Sequence, residues 1–343
     1  VAAKGLAIAA PLAMAVSLRG TLGSRSLPLL PLGLALLAGG ALSSFLVLRS
    51  APVGPEAHAD QLEELRADVE GEDVLFLGRD DFIGWELRGS GEITGVVTNF
   101  YDVEDAKPRF KRGENGGEKF DVDVLFPRQL DRFPYLLATR GGPASQVPPR
   151  FEVVAETRDY VLYERTGAIG KRLTLNEGTA VGRVLECDEE EAPGGVATVL
   201  DPPPVVAEAA GWDPDDEPTD GSPSAQTLEL PEAGRWLISL EYDSRRPLRV
   251  TSEELGLDET ISANLDFRGE TPTFPVAEVE VSEPTRATVT VEPEEPNLLA
   301  RLLRAPNEAH LRSLTATPLD PDAIRRVPLR EACGEYVDWY RPG

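Results

Sequence analysis

Paired acidic residues are the first candidates for chemistry in this sequence. Asp121 and Asp123 flank one residue of Phe120–Phe126, a run whose alternation predicts a strand, so both carboxylates are expected on one face. Clustered carboxylate oxygens suit Ca²⁺. Because the chain has 59 Asp and Glu residues, such pairs also arise by chance, and Asp80-Asp81 is better explained as a helix cap. Asp121 and Asp123 are therefore the candidate metal pair, with Ca²⁺ as the one ion considered and no other cofactor evident.

Aromatic side chains outside the predicted core are a second kind of candidate, because a flat ring can stack on a sugar. Trp212 lies in an acidic, turn-rich loop over residues 212–224. Tyr336 and Tyr340 alternate with Trp339 in a predicted strand and are expected on the opposite face from it. The sequence thus gives Trp212, Tyr336 and Tyr340 as candidate ligand-binding residues.

The chain has two cysteines, Cys187 and Cys333. One alternative is a disulfide that closes a loop of almost a whole domain, which would require an oxidising compartment. The other is a pair of free buried thiols. We expect the disulfide, mainly because the membrane topology derived below places both residues outside the cytoplasm.

Several classes of function are disfavoured by composition and by missing motifs. The chain carries 34 Lys and Arg against 59 Asp and Glu, a net charge of −25, and shows no basic stripe for nucleic acid. Two histidines and two cysteines are too few for dense metal clusters. No Gly-x-Ser-x-Gly elbow and no phosphate-binding Walker loop occur, which argues against a Ser-His-Asp hydrolase and a P-loop enzyme.

The amino-terminal 50 residues predict one or two transmembrane helices. Residues 27–48 contain no charge and are closed by Arg49, and this length is enough to span a bilayer core as a helix. Residues 5–18 are apolar but shorter. They could be a signal-peptide core, an interfacial segment or the tail of a transmembrane helix that starts upstream of Val1, and we favour the last.

The charge distribution predicts how the amino-terminal 50 residues are oriented in the membrane. Arg19 and Arg25 lie in the short loop before the spanning helix, so the loop is expected in the cytoplasm. Helix 27–48 then runs outward and places residues 51–343, which hold all 59 acidic residues, on the extracytoplasmic side of the cell membrane.

The acidic body predicts two domains, which gives a membrane-anchored α+β protein. Residues 51–167 combine a helical stripe (Leu62, Leu65 and Val69), apolar strands and a hairpin, and predict a small α/β domain. Residues 168–343 show short strand-like runs with Pro and Gly between them, the pattern of an antiparallel, jelly-roll-like β-sandwich. These runs are Arg183–Cys187, Val196–Leu200, Thr227–Leu230, Gly234–Tyr242, Leu248–Thr251, Pro275–Val281, Thr285–Val291, His310–Thr317 and Gly334–Tyr340.

Five segments of the body resemble the carboxy-terminal extracytoplasmic region of bacterial multi-spanning membrane glycosyltransferases of the GT-C type. They include VLFLGRDDFIGWEL, GRWLISLEY and ACGEYVDWYR, and they extend over residues 74–341. In that family a transmembrane helix bundle carries the active site, where an acidic residue of an early external loop acts on a lipid-phosphate-linked sugar. This chain has at most two spans, so the resemblance assigns it no catalytic residue.

The expected function follows from the spanning helix, the sandwich and the resemblance. We expect the extracytoplasmic, non-catalytic part of a membrane glycosyltransferase of cell-envelope glycan assembly, which binds the glycan acceptor. The alternative is a self-contained membrane-anchored module that binds carbohydrate or protein and has a structural role. The expected partners are the lipid bilayer, through 27–48, an envelope glycan, and an upstream transmembrane subunit or a missing amino-terminal portion.

Overall fold

The computed structural model divides the chain into two compact units, Val1–Val53 and Gly54–Gly343. It describes most of the second unit and scattered residues of the first. The described residues are 19, 31, 34–35, 37–42, 45, 56–78, 80, 82–95, 121–142, 144–175, 181–187, 194–208, 219–220, 223–264, 273–295 and 308–343.

The described residues of segment 27–48 are helical, and the side chains of Leu34, Leu42 and Phe45 are exposed. No helix formed by described residues is long and apolar enough to cross a membrane. The spanning helix 27–48 therefore stays a prediction, and segment 5–18 lies outside the described residues.

The first part of the second unit is a mixed five-stranded sheet, sheet A, in the order β2-β1-β3-β5-β4. β1 runs parallel to β2 and β3, whereas β5 pairs antiparallel with β3 and β4. The elements are α1 Glu56–Leu65, β1 Val74–Leu77, α2 Ile83–Glu86, β2 Ile93–Gly95, α3 Pro127–Leu130, β3 Tyr135–Thr139, β4 Phe151–Glu156 and β5 Tyr160–Arg165.

Helical segments cover both faces of sheet A, so β1 is buried along its whole length. α1 continues as a 3₁₀ turn to Val69, and the predicted stripe of Leu62, Leu65 and Val69 is confirmed as buried. This stripe and α2 pack in one core with Val74 and Phe76 of β1. Leu75 and Leu77 point the other way, into a second core with the segment that leads to α3.

The strand predicted over Phe120–Phe126 is wrong. Val122–Val124 form a 3₁₀ turn, because the Asp121 carboxylate accepts the backbone N–H of Asp123 at 2.9 Å and bends the chain at the start of that turn. The same-face argument for Asp121 and Asp123, which required extended backbone, is lost with the strand.

Two antiparallel sheets then form a β-sandwich, which confirms that part of the predicted fold class. Sheet C has the order β10-β17-β12-β15, with β9 also paired to β17, and sheet D has the order β11-β16-β13-β14. Apolar residues of both sheets, such as Leu240, Tyr242, Val250 and Val289, share one core. The strands are β9 Val205–Glu208, β10 Thr219–Asp220, β11 Ser224–Leu230, β12 Gly234–Ser244, β13 Leu248–Ser252, β14 Leu257–Ile261, β15 Thr273–Val281, β16 Thr285–Pro293 and β17 Glu308–Pro318.

A smaller antiparallel sheet, sheet B, combines strands from before and after the sandwich in the order β18-β8-β19-β6, with β7 also paired to β19. The predicted disulfide is confirmed: Cys187 and Cys333 are bonded, with their Cα atoms 5.6 Å apart. The division at residue 167 stays a prediction, although strands before and after it form separate sheets. The strands are β6 Leu173–Thr174, β7 Arg183–Val184, β8 Gly195–Leu200, β18 Ile324–Pro328 and β19 Tyr336–Pro342.

Sheet A docks on the sandwich through the first residues of β15. Gly141 and Gly142, just after β3, lie so close to Thr273 and Phe274 that a Cβ on Gly141 would overlap their backbone atoms. Beside this contact, Arg140 Nη2 lies 2.6 Å from Glu278 Oε1. The contact between sheet A and the sandwich therefore requires glycine at position 141 because the two backbones approach each other closely, and not only because glycine is conformationally free.

Replacement of Gly141 with Ala should lower the free energy of unfolding by about 1–3 kcal/mol, because the added methyl must push β15 away. Urea unfolding followed by circular dichroism measures this change. Gly194→Ala is the matched control, since a Cβ at Gly194 meets nothing within 4 Å. Equal stability of the two variants would contradict the close-approach argument.

Candidate functional site

The described part of the chain places one tryptophan on the surface. Trp236 and Trp339 are buried, whereas the Trp85 side chain is 63 % exposed. Phe82, three residues earlier, is also exposed, while Ile83 and Leu87 are buried in the core below α2. The helix therefore presents Phe82 and Trp85 outward because its other side is fully used in packing.

An arginine lies over the Trp85 ring. The Arg88 guanidinium carbon is 4.5 Å from the ring centroid, and Arg88 Nη1 donates to the Trp85 carbonyl oxygen at 2.9 Å. Glu63 Oε1 of α1 also lies 3.6 Å from Arg88 Nη2. This cation–π contact orients the indole and leaves donor groups beside it. We call Phe82, Trp85 and Arg88 the aromatic surface.

The aromatic surface lies in the connection between β1 and β2, two parallel strands of sheet A. Its last residue, Arg88, is followed by Gly89, whose carbonyl oxygen accepts the Gly71 N–H just before β1 at 2.8 Å. Asp80 accepts the Phe82 N–H at 2.6 Å and shapes the entry to α2. Burial raises the pKa of the neighbouring Glu86 carboxyl. An apolar ring edged by a guanidinium and carboxylates can stack on one face of a ligand and hydrogen-bond its rim.

Sequence reasoning did not select Trp85 as a site residue. The sequence feature that could have indicated it is the spacing of the apolar residues in this short helix: Phe82 and Trp85 lie on one side, and Ile83 and Leu87 lie on another. That pattern does not say which of the two apolar pairs faces the core, so exposure of Trp85 becomes visible only when α2 is seen packed on sheet A.

The candidate metal pair has protein partners. Asp121 accepts the backbone N–H groups of Asp123 and Ser145, each at 2.9 Å. Asp123 is buried, lies 2.8 Å from Arg172 Nη2 and accepts the Ser145 hydroxyl at 2.8 Å. Across the described residues, no three or more His, Cys, Asp or Glu side chains are arranged to hold a metal ion.

The same polar network reaches β19, the strand of the two candidate tyrosines. Asp338 Oδ2 accepts the Gln146 N–H at 2.7 Å, and Arg172 Nη2 donates to the Gln146 carbonyl oxygen at 3.0 Å. The Arg172 guanidinium also lies 4.9 Å from the Trp339 ring centroid. Burial, and then the nearby Asp123 carboxylate, raise the pKa of Asp338 to about 7.

A β-bulge at Asp338 changes the alternation along β19. Val337 pairs with Val199 but Trp339 pairs with Thr198, so these two side chains lie on opposite faces of sheet B. Tyr340 packs against the small core that contains Val337.

The candidate tyrosines are half-buried, and Tyr336 pairs with Val184 of β7. Trp212 lies outside the described residues. The structure thus brings Asp123 close to β19, but it does not bring Tyr336 or Tyr340 to the aromatic surface of α2.

Comparisons with known proteins add little to this picture. No protein-family profile and no curated protein matches the chain. Among solved structures, a ruminal GH26 endo-β-1,4-mannanase shares 11 % identity over 34 % of this chain and 26 % of that chain, with a TM-score of 0.23. A GH26-CBM35 β-(1,4)-mannanase of Podospora anserina shares 12 % over 37 % and 28 %, with a TM-score of 0.23.

An exo-β-1,3-galactanase of Phanerochaete chrysosporium is similar at the same level, with 12 % identity over 46 % of this chain and 37 % of that chain and a TM-score of 0.25. The chain therefore spans about a quarter to about a third of the length of these solved chains. Likenesses at such TM-scores decide neither the fold nor the function of this protein.

Proposed function

We propose that this chain is the extracytoplasmic part of a membrane-anchored, glycan-binding protein and that the aromatic surface holds a sugar ring. The observation that carries the proposal is the exposed Trp85 ring, with Arg88 fixed against it. An exposed tryptophan is a large apolar area to leave in water, and exposed apolar patches are typical of binding sites. A pyranose is complementary to this surface, because its apolar face can stack on the Trp85 ring and its hydroxyl groups can hydrogen-bond the charged rim.

The context of this binding is a membrane glycosyltransferase of the GT-C type. Trp85 itself belongs to one of the segments that resemble that family, VLFLGRDDFIGWEL. In this proposal the chain holds the cell-envelope glycan acceptor, and the reaction takes place in a transmembrane region that this chain does not contain. Helix 27–48 anchors the chain in the membrane. The Cys187–Cys333 disulfide supports the extracytoplasmic side, because such bonds persist in oxidising compartments.

A second candidate function is a structural module that binds another protein. β4 is the end strand in the order of sheet A, and it exposes Val153 and Val154. An exposed strand edge offers backbone groups to a strand of another chain. In that case the aromatic surface would be part of a protein interface and would show no affinity for glycans.

The Trp85→Ala variant should bind envelope glycans about tenfold more weakly, since the loss of one stacked ring costs about 1–1.5 kcal/mol. The full chain in nanodiscs would first be screened on an array of envelope polysaccharide fragments, and the fragments that bind would then be titrated by calorimetry. Phe126→Ala is the matched control, because Phe126 is also exposed but lies in the segment that covers the other face of sheet A.

Absence of any glycan binding by the wild-type chain would contradict the glycan proposal. Equal affinities of wild type and Trp85→Ala would contradict the placement of the site on α2.

A further inference from the structure

Two carboxylates and one guanidinium are enclosed where β19 meets the loop that contains Ser145 and Gln146. We propose that Asp123, Arg172 and Asp338 form a proton-dependent clasp, which holds β19 against this loop when Asp338 is protonated and loosens when Asp338 ionises. The three groups come from three separate segments: the 3₁₀ turn at Val122–Val124, the residues before β6, and the bulge of β19. A change at the clasp therefore acts on the junction between sheets A and B.

The geometry assigns the single cation to Asp123. Arg172 Nη2 lies 2.8 Å from Asp123 Oδ1 and also donates to the Gln146 carbonyl oxygen. Asp338 Oδ2 accepts only the Gln146 backbone N–H, and within the described residues no donor reaches Asp338 Oδ1. All three side chains are shielded from water, with Asp123 5 %, Arg172 4 % and Asp338 0 % exposed.

The charge balance makes the clasp sensitive to protons. With both carboxylates ionised, one buried positive charge faces two negative charges, and a buried charge without a partner is costly. Burial and the Asp123 charge raise the pKa of Asp338 to about 7, a further increase comes from Asp121, and Arg172 and the Gln146 amide act in the opposite direction. Of the other neighbours, β8 contributes Thr198, which does not titrate, and β7 contributes Arg183, which is exposed.

The sign of the pH dependence follows from the raised pKa. The closed clasp binds the Asp338 proton more tightly than an open, hydrated Asp338 does, with its ordinary value near 4. The free energy of closing is therefore most favourable in acid, weakens as the pH rises toward about 7 and stays constant above that value. The Cys187–Cys333 bond tethers the chain just before β19 to the segment that follows β7.

Amide hydrogen exchange of the full chain between pH 5 and pH 8.5 tests the clasp, with each protection factor corrected for the intrinsic exchange rate at that pH. In the wild type, protection of the β19 amides at residues 336–341 should fall by up to about tenfold per pH unit between pH 5 and pH 7 and then level off. The Asp338→Asn variant keeps an acceptor for Gln146 without a charge, so its protection should stay high at every pH.

Two controls keep this test specific. Asp258→Asn removes a carboxylate from an exposed ion pair with Arg249 and should keep the wild-type profile. In the wild type itself, β12 and β16 should hold constant protection over the same interval. A flat wild-type profile, a wild-type-like profile in Asp338→Asn, or an equal loss of protection throughout the sandwich would overturn the proposal.

Discussion

Removal of the Cys187–Cys333 bond should lower the free energy of unfolding by about 5 kcal/mol, because the bond closes a loop with a sequence separation of 146 residues and the reduced unfolded chain regains that freedom. The bond also joins segments on either side of the sandwich. Cys187 follows β7 and Cys333 precedes β19, and Gly334 N donates to the Leu185 carbonyl oxygen at 2.8 Å beside it. Without the bond, the strands of sheet B, which are far apart in the sequence, must come together during folding with no covalent link between them.

Guanidinium unfolding of the Cys187→Ser, Cys333→Ser double variant measures this loss. The wild type in excess dithiothreitol should unfold at the same midpoint as the double variant, and dithiothreitol should not affect the variant. A midpoint of the double variant within experimental error of the oxidised wild type would contradict the entropic account, since the loop length would then have no energetic consequence.

The sequence was sufficient where local patterns decide the structure. β3, β4 and β5 supply the apolar strands and the hairpin predicted for residues 51–167, because each is an apolar or alternating run bounded by turn residues. The long sandwich strands follow the same logic, and each strand-like run predicted in residues 168–343 overlaps an observed strand. In β12, for example, Trp236, Ile238, Leu240 and Tyr242 are buried as their alternation predicts.

The sequence was insufficient to predict the structure where contacts between distant residues, or side-chain hydrogen bonds, determine the backbone. β8 and β18 pair across more than a hundred residues, and no local pattern shows that they share sheet B. At Asp121 the alternation favoured a strand, but a side-chain hydrogen bond to Asp123 produced a turn. At Asp338 a bulge shifts the faces of β19, although Val337 and Trp339 look equivalent in the sequence. The aromatic surface was missed for the same reason, since only packing decides which side of α2 is buried.

The two proposals concern separate parts of the molecule and can therefore be tested separately. The aromatic surface is exposed and lies on α2, whereas the clasp is buried beside β19. If the chain lies on the extracytoplasmic side, the clasp responds to the pH of the external medium. Glycan binding at Trp85 depends instead on ring stacking and hydrogen bonds. If the clasp proves to depend on pH but no glycan binds, the second candidate function remains: a protein-binding module whose β19 region is regulated by pH.

A second buried cluster connects α1 to the rest of the fold and gives the other large expected effect. Asp159 lies in the turn between β4 and β5, and its Oδ2 atom is 2.7 Å from His58 Nδ1 and 2.6 Å from Gln61 Nε2. The Asp159 backbone N–H donates back to Gln61 Oε1 at 2.8 Å. The His58 ring stacks on Phe274 of β15, with 3.9 Å between centroids. One carboxylate thus connects α1, sheet A and the sandwich.

The Asp159→Ala variant should lose about 3–5 kcal/mol of stability, because it leaves the buried His58 and the side chain of Gln61 without their shared acceptor. Asp159→Asn is the matched control: it keeps an acceptor oxygen of similar shape and should lose less than half as much. Urea unfolding gives both values, and hydrogen exchange should show the loss of protection first in α1. Equal losses in the two variants would mean that the charge of Asp159, and not its hydrogen bonds, holds α1 to sheet A. A loss below about 0.5 kcal/mol in Asp159→Ala would mean that the cluster contributes nothing beyond a surface contact.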